Sequence, residues 1–175
     1  MRLSRLLSLL LFVLSLGCSS THKEPVDAGL WKGAPFTVVV FFSAHCPTQR
    51  THDARLVELY RAYTDRGVRF VVVDAEAGAS AERSAEEARA RGFPFEIVPD
   101  PEGKVADALG ARLSTHVVIL DDHGKVWYKG GIDSDRIKLH DDAKRYVADA
   151  LDDLLAGRVV RVPEAKTLGC PLERR

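Results

Sequence analysis

The sequence predicts an α/β domain with a mixed central sheet and helices on both faces, on the strength of three observations. Residues 36–42 (FTVVVFF) and 68–73 (VRFVVV) are continuous β-branched and aromatic runs, as expected of strands buried on both faces. A helical period lies between them, so a crossover joins them and they run parallel. Two later apolar runs close on a tight turn and precede one amphipathic helix, which adds a hairpin with a covering helix. A chain of 175 residues, 46% hydrophobic and 29% charged, is long enough for one such domain with its own core.

Each element has a local cause. Pro47 occupies the first turn of a helix, where its missing N–H costs nothing. Leu56, Leu59, Tyr60 and Tyr63 then recur at i, i+3, i+4 and i+7, and Gly67 stops the helix. Residues 80–91 form a polar helix ending at Gly92, and 95–98 a short strand. The DPEG turn at 100–103 leads into a short helix that ends near Gly110. Residues 117–120 and 126–129 are strands joined by the DDHG turn at 121–124, and Gly130-Gly131 marks a bulge. The last helix, about 139–156, carries Val147, Ala150, Leu151 and Leu154 on one face. The domain spans 35–157, and a C-terminal tail, 158–175, carries Cys170. This tail reads as a flexible segment.

The N-terminus differs. A basic head, MRLSR, precedes about a dozen apolar residues, too few to span a ~30 Å hydrocarbon core. Residues 1–17 therefore read as a secretory signal peptide. Leu14, Ser15, Leu16 and Gly17 before Cys18 resemble the lipobox of bacterial lipoproteins. That resemblance implies lipidation of Cys18, a tether over 18–34, and a protein anchored in the cell envelope facing the periplasm. Ser19 after the cysteine resembles an outer-membrane address. Twenty-five basic residues balance twenty-five acidic ones, so no nucleic-acid partner is expected.

With Cys18 set aside, Cys46 and Cys170 are the two remaining thiols, and in an exported protein two cysteines invite a disulfide. Cys46 sits four residues beyond the first strand, at a helix start, where doubly wound sheets place their sites. Unpaired N–H groups and the positive dipole end stabilise a thiolate there. His45 and His116 are the histidines expected near it, and the Ser43 hydroxyl is a donor for its sulfur or for a bound peroxide. Cys46 is thus the expected attacking thiol and Cys170 its resolving partner. A permanent cross-link predicts the same bond and differs in how readily it is reduced.

Several stretches resemble the thioredoxin superfamily, in particular its redoxin or peroxiredoxin-like (AhpC/TSA-type) branch of exported bacterial proteins. They are FFSAHCP, RLVELYRAYTDRGVRFVVVDA, FPFEIVPDPEGKVADALGA, VVILDDHGKVWYKGGID and the Gly-Cys pair of the tail. The resemblance implies a thioredoxin-like fold, thiol or hydroperoxide chemistry without a cofactor, protein thiols, disulfides or a hydroperoxide as substrate, and an envelope reductant. It also places Ser43 in the hydroxyl slot of peroxiredoxins. Ser114 and Thr115 fall in the loop before the penultimate strand that faces the reactive cysteine. The chain departs from both family signatures: CPTQ puts Gln49 where thioredoxins carry a second cysteine, and Val39 replaces the peroxiredoxin proline.

Two other classes remain open. A Cys/His set suits copper, so Cys46 with His45 and His116 is the alternative metal site. His52 falls six residues beyond Cys46, off the i+4 spacing that aligns ligands. The other class is a non-catalytic scaffold with a structural disulfide. Trp31 and Trp127 are too isolated for a ligand box, and the paired aspartates suit turns and solvated helices.

Overall fold

The computed structural model describes residues 29–174, so the expected signal peptide, Cys18 and most of the tether lie outside the described residues. Five strands form one sheet in the order β3-β2-β1-β4-β5. They are β1 (Phe36–Phe42), β2 (Val68–Asp74), β3 (Ile97–Pro99), β4 (His116–Asp121) and β5 (Val126–Gly131). The helices are α1 (Pro47–Thr64), α2 (Ala81–Arg91), α3 (Lys104–Leu109) and α4 (Tyr146–Leu155). β1 pairs parallel with β2 and antiparallel with β4; β2–β3 is parallel and β4–β5 antiparallel. The mixed sheet is the one the strand pattern predicts.

β1 is central, and its alternation divides the core. Val38, Val40 and Phe42 face a cluster with Leu56 and Tyr63 of α1, Ala88 of α2, and Val147, Leu151 and Leu154 of α4. Val39 and Phe41 face the opposite cluster, with Val105 and Ala106 of α3, Val118 and Leu120 of β4, and Leu172 from the tail. Period-two alternation in a continuous apolar run thus packs both faces with the same strand.

Four expectations are revised. The third strand begins at Ile97 rather than 95, because Phe95 stacks on Phe93 and Tyr60 instead of pairing. The last helix begins at Tyr146, not near 139. Residues 133–145 instead form a loop pinned by Arg55, which reaches Asp133, Asp135 and the His140 carbonyl. The bulge falls at Ile119/Leu120, while Gly130 and Gly131 lie within β5 and pair with Val117 and His116. A Cβ at Gly130 would stand 2.5 Å from the Ala165 carbonyl oxygen, so that glycine admits the tail.

The tail is the fourth revision. It does not trail away: Lys129 and Ala165 exchange backbone bonds with Pro163 and Lys129, and His116 Nδ1 meets Thr167 Oγ1 at 2.7 Å. Ala77 donates to the Glu173 carbonyl, and Arg174 clamps Asp107 and the Ala111 carbonyl. At the other end, residues 29–34 of the expected tether also pack. Trp31 is buried in the second cluster, and its carbonyl accepts from the Thr37 hydroxyl.

Candidate active site

Cys46 is the N-cap of α1, in extended conformation, and its sulfur accepts from the Gln49 backbone N–H at 3.5 Å. Pro47 follows in the first turn, which contains no acidic residue. The N-terminal donors and dipole end of an 18-residue helix therefore converge on this sulfur. Cys46 is disulfide-bonded to Cys170, 124 residues away, with Cα atoms 5.8 Å apart. That separation lies in the usual range for such a bond. Cys46 is only 2% exposed, whereas Cys170 is partly exposed.

The tail brings Cys170 in as an extended segment against residues 112–115. Ser114 N–H donates to the Cys170 carbonyl at 2.8 Å, and Cys170 N–H donates to Ser114 Oγ at 3.0 Å. Leu172 N–H donates to the Arg112 carbonyl at 3.0 Å, and Leu113 pairs antiparallel with Pro171. Thr115 next to this edge has φ 58°, the one positive φ of a non-glycine among the described residues. A β-branched residue there is strained by about 1–3 kcal/mol. Its N–H bonds the Phe41 carbonyl at 2.7 Å, which ties the loop to the end of β1.

Ser43 is buried, its carbonyl accepts from Cys46 N–H, and its hydroxyl hydrogen-bonds the Glu76 carboxylate. Glu76 and Asp74, at and just beyond the end of β2, are 8% and 7% exposed. Burial raises both carboxyls above their ordinary range. The Glu76 amide partly offsets this for Asp74, as Ser43 does for Glu76, and the Asp74 charge pushes Glu76 further up. Sequence reasoning passed over this pair; the signal was two acids directly after a buried strand, in VVVDAE.

Behind the loop, Arg91 is 1% exposed at its side chain. It donates to Asp53 at 2.8 Å, Glu87 at 3.0 Å and the Ala44 carbonyl at 2.7 Å, and lies 4.8 Å over the Phe42 ring. Gln49, in the slot of a missing second cysteine, is fully buried; its amide donates to Asp53, and its Oε1 has no partner among the described residues.

The histidines separate. His45 is exposed, while His116 is half-buried against Thr167, and burial, with Lys129, lowers its pKa. The Cys46 sulfur is committed to Cys170, so the alternative metal trio is not gathered around a free thiol. Among the described residues no group of three or more His, Cys, Asp or Glu side chains is spaced to hold a metal. His52 turns out to be buried at 2% exposure between the Thr48 carbonyl, 2.8 Å from Nδ1, and Asp133, 3.1 Å from Nε2. Both ring nitrogens face acceptors, which calls for the imidazolium. A cavity of about 540 Å³ between α1 and residues 132–148 shares no residue with the cysteine pair.

A disulfide at a helix N-terminus on this mixed sheet is a thioredoxin-like arrangement. The Redoxin family model matches residues 14–145, and the chain belongs to that family, which points to thiols or disulfides as substrates. No curated protein matches. Among solved structures, an uncharacterized conserved protein from Geobacillus kaustophilus is similar at 29% identity and TM-score 0.75, covering 82% of this chain and 79% of that one. A hypothetical protein from Sinorhizobium meliloti is similar at 24% identity and TM-score 0.74, with 81% of each chain covered. A putative thioredoxin from Neisseria meningitidis shares the fold at 17% identity and TM-score 0.50, covering 59% of this chain and 67% of that one.

Proposed function

We propose that this protein is a thiol–disulfide exchange oxidoreductase of the cell envelope, with Cys46 as the attacking thiol and Cys170 as the resolving one. The observation that carries this reading is the Cys46–Cys170 bond closed across the N-terminus of α1. In the reduced protein the Cys46 thiolate, held by the Gln49 N–H and the helix dipole, attacks a substrate disulfide. A Cys46–substrate bond forms and the substrate's second sulfur leaves as thiolate. Cys170 then attacks the Cys46 sulfur, the intramolecular bond closes, and the substrate departs with two electrons gained. Glu76 is joined to the loop through the Ser43 hydroxyl, and burial raises its carboxyl above the ordinary range.

Disulfide exchange is favoured over peroxide reduction by the charges around the loop. Cleaving an O–O bond needs a cation or donor at the leaving oxygen. The buried guanidinium beside the loop, Arg91, is already engaged by two carboxylates and a carbonyl, and the other buried charged groups there are the acids Asp74 and Glu76. The envelope location and the lipid on Cys18 rest on the sequence of residues 1–19, and the reductant is an envelope dithiol protein.

Expressing the full chain as Cys170→Ser tests the reading. The expected result is a mixed disulfide on Cys46 with an envelope protein, released by dithiothreitol and absent in Cys46→Ser. No adduct, together with no reaction of Cys46 with any disulfide, overturns it. The tail's own hydrogen bonds favour a second reading, a permanent cross-link, which the reduction potential separates.

A further inference from the structure

We infer that the reduced protein takes extended peptide segments of the form Gly-Cys-x-Leu on the edge formed by residues 112–115. This is the seat its own residues 169–172 fill in the oxidised state. The inference rests on the exchange reading of Cys46 and names that site's substrate class.

The bonds holding the tail to this edge are not selective. Ser114 N–H and the Arg112 carbonyl bind backbone groups of residues 170 and 172, which any extended segment presents. Selectivity comes from two neighbouring positions. At Gly169 a Cβ would stand 1.7 Å from the Ser114 carbonyl oxygen, 2.6 Å from its carbon and 2.9 Å from Thr115 Oγ1. The edge cannot retreat, because Ser114 is fully buried and Thr115 is tied to the Phe41 carbonyl. The residue before the cysteine must therefore be glycine. Pro171 after it is exposed and faces no such limit. Leu172 is 8% exposed in the cluster with Val105, Ala106 and Ala111, so the second residue after the cysteine must be a large aliphatic. While its disulfide holds, the tail excludes outside peptides. After reduction it competes with them as a tethered copy of their motif.

The probe is a synthetic peptide of residues 166–173, KTLGCPLE, its cysteine carried as a mixed disulfide with thionitrobenzoate. The Cys46 thiolate attacks the peptide sulfur, a Cys46–peptide disulfide forms, and thionitrobenzoate leaves as a coloured thiolate, with no net oxidation. The full-length proteins are Cys170→Ser, and Cys170→Ser with Gly169→Val, whose tail cannot seat. The expected result is a second-order rate at least about tenfold higher for the glycine peptide than for the same peptide with valine before cysteine, the scale of one overpacking clash. The glycine peptide also reacts faster with the double variant than with Cys170→Ser. Mercaptoethanol–thionitrobenzoate, a small reference, reacts equally with both proteins. Equal rates for the glycine and valine peptides, with the small reference reacting, overturn the inference alone. No reaction with the small reference overturns the exchange reading and this inference with it. If the double variant fails to fold, the peptide comparison in Cys170→Ser still decides, since tail competition slows both peptides alike.

Discussion

Replacing Asp133 with Asn tests whether a buried ion pair anchors the loop after β5 to α1. Asp133 is 4% exposed; one carboxylate oxygen meets His52 Nε2 at 3.1 Å and the other meets Arg55 at 2.5 Å. Burial by itself lowers the His52 pKa, but the hydrogen bond it donates to Asp133, the Thr48 carbonyl and the Asp133 charge together raise it. For Asp133, burial pushes upward and is outweighed by His52, Arg55 and the Asp135 N–H, so its pKa is lowered. The sign follows from linkage. A raised histidine stabilises fully below its unfolded value of 6.5 and loses that contribution as pH rises through its folded pKa. A lowered aspartate stabilises above 3.8 and loses its contribution as pH falls through its folded pKa. The pair is therefore most stabilising between about pH 4 and 6.5. Breaking a fully buried pair costs ~3–5 kcal/mol. The Arg55 side chain is 24% exposed, and Asn keeps a partner for neutral His52, so about 2–3 kcal/mol is expected here. Urea unfolding of the oxidised protein at pH 5.5 reads that loss. Between pH 6 and 8 the variant's stability should change with the opposite slope contribution to wild type's, because burial, with the Arg55 charge, then outweighs the Thr48 carbonyl and lowers the His52 pKa. Unchanged stability at pH 5.5, or parallel pH profiles for the two proteins, refutes the imidazolium assignment.

Other outcomes follow from packing and the tail. Gly130→Ala should destabilise by about 1–3 kcal/mol, since its Cβ would stand 2.5 Å from the Ala165 carbonyl oxygen; the urea midpoint reads this. Leu172→Ala should cost about 2 kcal/mol and, in reduced protein, expose the tail to limited proteolysis before the domain. Arg91→Leu removes the guanidinium from Asp53, which keeps only Gln49, and from the Ala44 carbonyl, and should lower stability by about 2–3 kcal/mol and slow Cys46 alkylation or exchange by loosening its loop.

Much of this was legible because it follows from local pattern. FTVVVFF could only be a doubly buried strand, Ser80 and Gly92 cap α2 as their chemistry dictates, and Cys46 with Pro47 announced a helix start. The parts that escaped depend on distant partners. Residues 133–145 are polar enough for a helix surface, and only Arg55, some eighty residues away, explains why they form a loop. The tail from 158 lacks periodicity and so read as flexible; the backbone bonds that fix it belong to β5, Arg112 and Ser114. Ligand spacing sets His52 apart from Cys46, while its actual partner, Asp133, sits 81 positions on. Spacing identifies neighbours on one helix and says nothing of contacts closed by topology.

The reduction potential of the Cys46–Cys170 couple, measured in glutathione or thioredoxin redox buffers, bears most directly on the account. Exchange chemistry predicts a value between about −270 and −120 mV, the span of dithiols that cycle. A value below about −300 mV would mean a bond built to stay closed, and would contradict it.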